Sequence, residues 1–342
     1  MEKDSKKTNS KPIIGITIGD INGIGPEVII KALDNNKILS QVTPVIYGSS
    51  KVLSYYKKAL DKNDFNFHQI SKLEDIRYKK VNVLNCWDDM VDINPGEVNT
   101  NGGKYAFISL EQATRDVTSG HLDAIVTAPI NKHNIQSDDF NFPGHTEYLT
   151  DIVGKSDSLM FMVSDNLRIG VVTGHIALKD VAASTTAERI QSKLDLMIKS
   201  LKKDFGIAKP KIAVLGLNPH AGENGLLGSE EEEIINPLIE SYKSKGQIVL
   251  GSFPADGFFG ARQHHKFDGV LAMYHDQGLI PFKALTFESG VNFTAGLPIV
   301  RTSPDHGTAF GIAGKDQASG NSMRQAIYLA MDIANQRREY QD

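Results

Sequence analysis

Short apolar runs alternate with longer segments of helical pattern along this chain, and that alternation constrains the fold more than any other feature. Residues 13–18, 44–47, 81–84, 124–127, 158–163, 168–172, 211–217, 246–251 and 269–273 read as strands. Residues 25–33, 51–60, 103–119, 146–153, 186–204, 229–245 and 319–336 read as helices. Several helix starts carry cap signals; Ser229 followed by Glu232 predicts a capping box. Strands alternating with helices predict an α/β protein with a mostly parallel sheet. Ligands of such sheets gather at the carboxyl ends of the strands.

A length of 342 residues allows for two domains, at ~150 residues each. Hydrophobic residues at 40% and charged residues at 23% exclude a disordered or fibrous chain. Lysine and arginine total 37 against 41 acidic residues, a net charge of −4. That balance gives no electrostatic reason to expect nucleic acid or an anionic membrane as partner. The single cysteine, Cys86, excludes an internal disulfide and a cysteine-built zinc cluster, and fits a reducing cytoplasm. Residues 1–11 are polar and charged; they read as a disordered tail and not as a secretory signal. No run approaches the ~18 apolar residues of a membrane-spanning helix.

Three apolar strands run straight into a histidine: RIGVVTGH ends at His175, KIAVLGLNPH at His220 and GVLAMYH at His275. If these strands are parallel, the three imidazoles leave the sheet at one edge. Three neutral nitrogen donors with an open position describe a catalytic metal site. The competing reading is three unrelated hydrogen-bonded histidines, and spacings of 45 and 55 residues match no local metal motif. Asp276 can supply a fourth ligand or orient the His275 ring. His68, His121, His133, His264 and His265 lie in polar surroundings and read as solvated surface residues.

His145 precedes a helix that Thr146 is placed to cap. A helix start with a histidine and a hydroxyl can hold an anion; an ordinary cap explains it equally well. The first strand enters GDINGIGPEVII, whose glycine spacing is not the Rossmann fingerprint. That loop is either a ligand approach or a tight strand-to-helix turn. Residues 282–315 hold many glycines together with Lys283, Asn292, Arg301, Asp305 and His306. Lysine and arginine on loops can clamp a phosphate or carboxylate. Asp256, in PADGFF, is flanked by small and apolar residues and reads as a buried acid.

The motifs GDINGIGPE, FPGHTEYL, LGLNPHAGENGLLGSEE, PADGFF, MYHDQGLIPFK and GVNFTAGLPIVRTSPDHGTA, in order over about residues 12–336, resemble the 4-hydroxythreonine-4-phosphate dehydrogenase family of vitamin B6 biosynthesis. The resemblance implies a two-domain α/β fold like that of the isocitrate and isopropylmalate dehydrogenases, with mostly parallel sheets, helices on both faces and an interdomain active site. It implies a cofactor-side domain of residues 12–135 plus 296–342, and a metal, substrate and dimerisation domain of residues 136–295. It also implies a homodimer with shared active sites, NAD or NADP as cofactor, a divalent zinc, magnesium or cobalt ion, and a phosphorylated amino-acid substrate.

Position by position, the resemblance makes His175, His220 and His275 the metal ligands, with His175 able to serve the partner's site. It makes His145, Thr146, Lys283, Asn292 and Arg301 substrate contacts. It makes Asp256 an active-site acid, with Lys283 a second candidate for moving a proton. Asp305, His306, Gly307 and Thr308 fall in a loop that looks like the adenosine-binding loop of those dehydrogenases. Where the family usually has proline and alanine, this chain has Ile21 and Asn22, and it has Gly174 where many members have threonine. Those departures bear on loop shape. The substrate class has an alternative in a four-carbon sugar-acid phosphate, threonate or erythronate 4-phosphate. Phosphate acyltransferases share the overall architecture but need no three-histidine metal site.

Overall fold

A computed structural model describes residues 11–35, 37–155, 157–165, 167–286 and 289–340. The tail read at 1–11 lies, but for Lys11, outside the described residues. Contacts divide the chain into two compact units, one running to Gly154 and resuming at Pro298, the other Lys155–Leu297. Residues 136–154, and His145 with them, make their contacts in the first unit.

In the first unit β1 (Ile13–Thr17), β2 (Thr43–Gly48), β3 (Phe67–Ile70), β4 (Val81–Asn85), β5 (Ala124–Thr127) and β12 (Arg301–Pro304) lie in the order β3-β4-β2-β1-β5-β12, with the neighbouring pairs parallel. The central strands are apolar at nearly every position because parallel strands are covered on both faces. β12 is the exception. Its sequence RTSP is polar yet fully buried, and the side chains are satisfied inside: the Thr302 hydroxyl donates to the Ala326 carbonyl at 2.8 Å. A polar tetrapeptide gives no apolar run, which is why the sequence pattern reads it as loop.

The helices of this unit are α1 (Gly25–Leu33), α2 (Ser50–Ala59), α3 (Thr100–Thr118), α4 (His145–Ile152) and α10 (Asn321–Glu339). Pro26 sits in the first turn of α1, where no N–H is required. Glu27, fully buried beside it, accepts from Lys31 Nζ at 2.9 Å, Ala318 N at 3.0 Å and Gly314 N at 3.2 Å. These charge-assisted bonds offset the cost of burying a carboxylate. Arg324 of α10 donates to the carbonyls of Lys31 and Ala32, closing the far end of α1.

In the second unit β6 (Leu159–Ser164), β7 (Leu167–Thr173), β8 (Lys211–Leu215), β9 (Ile248–Phe253), β10 (Gly269–Tyr274) and β11 (Val291–Ala295) run in the order β11-β6-β7-β10-β8-β9. β11 and β7 are antiparallel to β6, and the β7-β10-β8-β9 stretch is parallel. Its helices are α5 (Val181–Ser184), α6 (Ala187–Lys203), α7 (Asn236–Ser244), α8 (Ala255–Gly260) and α9 (His275–Thr286). α9 carries both Gly278 and Pro281, residues that ordinarily break a helical pattern. Packing holds it: Leu279 and Phe282 are buried in a cluster with Ile169, Val171, Val270 and Ala272, each worth ~1.5–3 kcal/mol. Residues 229–245 depart from the expected capping box. No side chain caps the start; a π turn at Glu231–Ile235 leads into α7, and Pro237 in its first turn lacks the N–H a regular α-turn would use. No described helix is long and apolar enough to cross a membrane.

Gly103, inside α3, lies against the backbone of Asn134, and a methyl there would overlap the Asn134 carbonyl oxygen. Gly103→Ala is expected to destabilise by ~2–3 kcal/mol despite alanine's better helix propensity. Gly260→Ala, with open space around it, serves as control and stays within ~0.5 kcal/mol. Denaturant midpoints check this; equal midpoints for the two variants would contradict the close approach.

Candidate functional site

The first unit gathers positive charge at the ends of two neighbouring strands. Arg301 opens β12 and is only 3% exposed. Its Nε and Nη2 both donate to the hydroxyl of Thr127, the last residue of β5, at 3.0 and 2.7 Å. Burial pulls its pKa down to about 10, with the Glu147 carboxylate pulling the other way. The guanidinium therefore stays charged at neutral pH in an interior that disfavours charge.

His145 is the first residue of α4. Its Nε2 is a buried atom without a hydrogen-bond partner. Burial first, then the charges of Arg301 and Lys132, hold its pKa well below 6.5, so the ring is neutral. Thr146 does not cap the helix. Gly144 occupies the N-cap in extended conformation, no side chain caps it, and Thr146 falls in the first turn. The first N–H groups of α4 thus point out without a side-chain acceptor. Lys132 and Glu147 both reach this start: a Cβ on Gly144 would sit 3.4 Å from Glu147 Oε2, 3.5 Å from Lys132 Cε and 4.0 Å from its Nζ. Arginine, lysine, a neutral imidazole and a helix N-terminus together fit a small anion.

The loop after β12 places Asp305, His306 and Thr308 half-buried and Gly307 exposed. Asp305 N donates to Ser322 Oγ at 3.1 Å, and the Thr308 carbonyl accepts from Ile24 N at 2.9 Å. A Cβ on Gly307 would meet no atom within 4 Å, so the loop is firmly tied yet open above its glycine. A tied loop with a carboxylate and open backbone fits the hydroxyl-rich part of a nucleotide.

In the second unit β7, β10 and β8 are parallel neighbours, and two of the three histidines that follow them, His175 and His275, come together. The rings of His175 and His275 lie 5.5 Å apart, centroid to centroid. Asp276 takes the orienting role, with its Oδ1 2.7 Å from His275 Nδ1, which leaves Nε2 as the outward nitrogen. Gln277 braces the edge: Met273 N donates to its Oε1 at 2.7 Å, and its Nε2 donates to the Gly216 carbonyl at 2.6 Å. His220 does not join the pair. It sits in a short turn, Pro219–Gly222, at φ 52, and Glu231 ties down the preceding residues by accepting from Leu217 N and Asn218 N. Among the described residues no three His, Cys, Asp or Glu side chains are grouped to hold a metal ion. The donor set fits a divalent ion in part: two imidazoles meet, and the third is on the next strand's loop.

Lys283 lies half-buried on α9, two turns beyond His275, and Asn292 half-buried on β11 with its Oδ1 lacking a hydrogen-bond partner. Asp256 is exposed, contrary to its apolar flanks, because the first turn of α8 turns it outward. His264 is buried, 4% exposed, and stacks between Phe259 and His265, so it is not a surface residue. Lys132 and Asp20 were not singled out by sequence. Asp20 is fully buried, accepts from Asn134 Nδ2 at 2.8 Å and Asn22 N at 2.9 Å, and has its pKa raised by that burial. Its only sequence signal is an acid inside a glycine-rich loop.

These features define an α/β protein built to hold a small anionic ligand. Residues 40–330 match the family described as pyridoxal phosphate biosynthetic protein PdxA, and the chain belongs to that family. It is 52% identical over 328 residues to a Bacteroides thetaiotaomicron protein named 4-hydroxythreonine-4-phosphate dehydrogenase, covering 95% of this chain and 90% of the relative. It is 39% identical over 332 residues to a Cupriavidus necator protein named D-threonate 4-phosphate dehydrogenase, covering 95% and 98%. A solved structure of 4-hydroxythreonine-4-phosphate dehydrogenase from Klebsiella pneumoniae superposes with a TM-score of 0.82 at 38% identity, covering 95% and 98%.

The depressed pKa of His145 gives a pH signature. Above 6.5 the ring is neutral in both folded and unfolded chains and costs nothing. As pH falls through 6.5 the unfolded chain takes up a proton that the folded ring resists, so stability declines on the acid side. His145→Gln is expected to flatten part of the decline in melting temperature between pH 7.5 and pH 5.5. Parallel curves for wild type and variant would contradict the buried neutral ring.

Proposed function

We propose that the chain oxidises 4-phosphooxy-L-threonine at C3, using NAD or NADP, and releases carbon dioxide to give 3-amino-2-oxopropyl phosphate, a step toward pyridoxal 5'-phosphate. The observation that carries this is the cradle of buried Arg301, neutral His145 and the uncapped start of α4, which suits the substrate's phosphate. The names of the similar proteins support the same reading.

The C3 hydrogen leaves with its electron pair and the C3 hydroxyl loses a proton; the C1–C2 bond of the resulting β-keto acid then breaks, its electron pair passing into the C3 carbonyl as an enolate that takes a proton at C2. The nicotinamide supplies hydride acceptance and a divalent ion supplies Lewis-acid polarisation. His175, His275 and His220 would hold the ion, and Asp305, His306, Gly307 and Thr308 the nucleotide. Arg301, His145 and Thr146 bind the phosphate and fix the substrate's register. The family resemblance makes Lys283 and Asn292 further substrate contacts. Lys283, half-buried on α9, and Asp256, exposed on α8, are the two candidates to move the C3 proton. A homodimer completes the metal site in this reading. Ile176, Leu178, Leu226, Leu227, Ile280 and Leu285, which follow the three histidines, are all exposed apolar side chains suited to a second copy. A cytoplasmic setting supplies the cofactor pool.

The relative named for D-threonate 4-phosphate keeps that sugar acid as a second substrate to test. Purified protein with either phosphorylated acid, NAD or NADP, and zinc, magnesium or cobalt is followed at the absorbance of the reduced cofactor. Turnover with the threonine phosphate is expected, abolished by chelator dialysis and restored by metal; turnover with the sugar acid alone would replace the substrate. Lys283→Ala is expected to lower kcat by ~10²–10⁴ with a smaller change in KM. Mixed dimers of His220→Ala and His275→Ala chains should recover part of the activity, and no recovery in confirmed heterodimers would contradict a shared site.

A further inference from the structure

Asn22 is fully buried in the loop between β1 and α1, and its polar atoms reach three positions of one distant segment. Its Oδ1 accepts from Asn94 N at 2.8 Å. Its Nδ2 donates to Asn99 Oδ1 at 3.0 Å. Its own carbonyl accepts from Gly96 N at 2.8 Å. Between these anchors residues 94–97 close a turn, with Glu97 N donating to the Asn94 carbonyl at 3.0 Å.

The tip of that turn lies against the stretch that follows β12. A Cβ on Gly314 would sit 2.9 Å from Pro95 Cβ, and a Cβ on Gly96 would sit 3.1 Å from the Phe310 carbonyl oxygen. The opposite grip on the same stretch comes from the first loop itself. Ile24 N donates to the Thr308 carbonyl, and Glu27 accepts from Gly314 N and Ala318 N. The stretch 308–318 is therefore held from two directions, and both holds start within residues 22–27.

We propose that Asn22 is a positioning residue: its carboxamide locks the 94–97 turn against residues 308–314 and so presets the loop that takes the nucleotide. The proposal rests on the reading of residues 305–308 as the nucleotide loop. Without the carboxamide the turn loses its bond at Asn94 and the flank that follows it loses its bond at Asn99, Pro95 withdraws from Gly314, and binding then carries the cost of ordering 308–314.

The exchange and cofactor-binding arms of the test use the full-length protein without substrate, and a separate turnover arm adds it. In Asn22→Ala, deuterium exchange of amides 308–318 is expected to speed up about 10-fold, and the Kd for reduced cofactor, read by its fluorescence, to rise about 10-fold. With saturating cofactor kcat should stay within about twofold, since the residue touches no reacting atom. Pro95→Gly, which withdraws the same contact from the turn tip, should reproduce both shifts if Asn22→Ala proves too unstable to handle. Ser109→Ala removes a buried hydroxyl bonded to the Tyr47 carbonyl. It should lower the melting temperature and leave the cofactor Kd alone. Unchanged exchange in Asn22→Ala and Pro95→Gly would overturn the latch. Asp305→Ala separates the two failures. A raised Kd there, with wild-type Kd in Asn22→Ala, overturns the positioning role alone; wild-type Kd in both overturns the nucleotide-loop reading and the proposal with it.

Discussion

The burial of the Arg301 guanidinium is the constraint around which the first unit is organised. A cation at 3% exposure persists only where its neighbours face it with hydrogen-bond acceptors or negative charge. Thr127, one residue beyond the parallel register of β5 with β12, supplies the hydroxyl. The same pairing brings the segment carrying Lys132 out of β5 and toward the start of α4. Burial first, and then that positive field, keep the His145 ring neutral. Each of these features is unfavourable alone; in the function proposed above, an incoming phosphate would make them favourable together, the energetic form of a binding site prepared in advance.

The second unit solves a different problem with the same topology. Parallel pairing of β7, β10 and β8 sets their carboxyl ends side by side, and two imidazoles meet there because each follows its strand within two residues. Asp276 and Gln277 then restrict the remaining freedom of that edge. His220 follows its strand by five residues and leaves on a left-handed turn, so strand order alone does not carry it to the pair.

Much of this is readable in the chain itself, because strands buried on both faces need continuous apolar runs, and residues that end neighbouring parallel strands share an edge. What escaped was set by tertiary context. β12 is built of polar residues whose bonds are satisfied only after folding. α9 forms across Gly278 and Pro281 because the sheet rewards its apolar face. The caps expected from Thr146 and Ser229 failed where a glycine took the cap position and where a proline widened the turn. Asp256 and His264 were misread for one reason: flanking composition does not say which way a short helix turns each side chain. Asn22, a small polar residue in a glycine loop, gives no hint of the segment 72 residues away that it fastens.

The central claim is that Arg301 and the start of α4 read a phosphate. Calorimetric titration of the protein with 4-phosphooxy-L-threonine and with its unphosphorylated counterpart, in wild type and Arg301→Lys, tests it most directly. Lysine keeps the charge but loses the planar fork. The account predicts that the phosphate strengthens binding at least ~30-fold in wild type, equivalent to about 2 kcal/mol, and that most of this advantage vanishes in Arg301→Lys. Equal affinity for the two ligands in wild type, or an undiminished phosphate preference in Arg301→Lys, would contradict it.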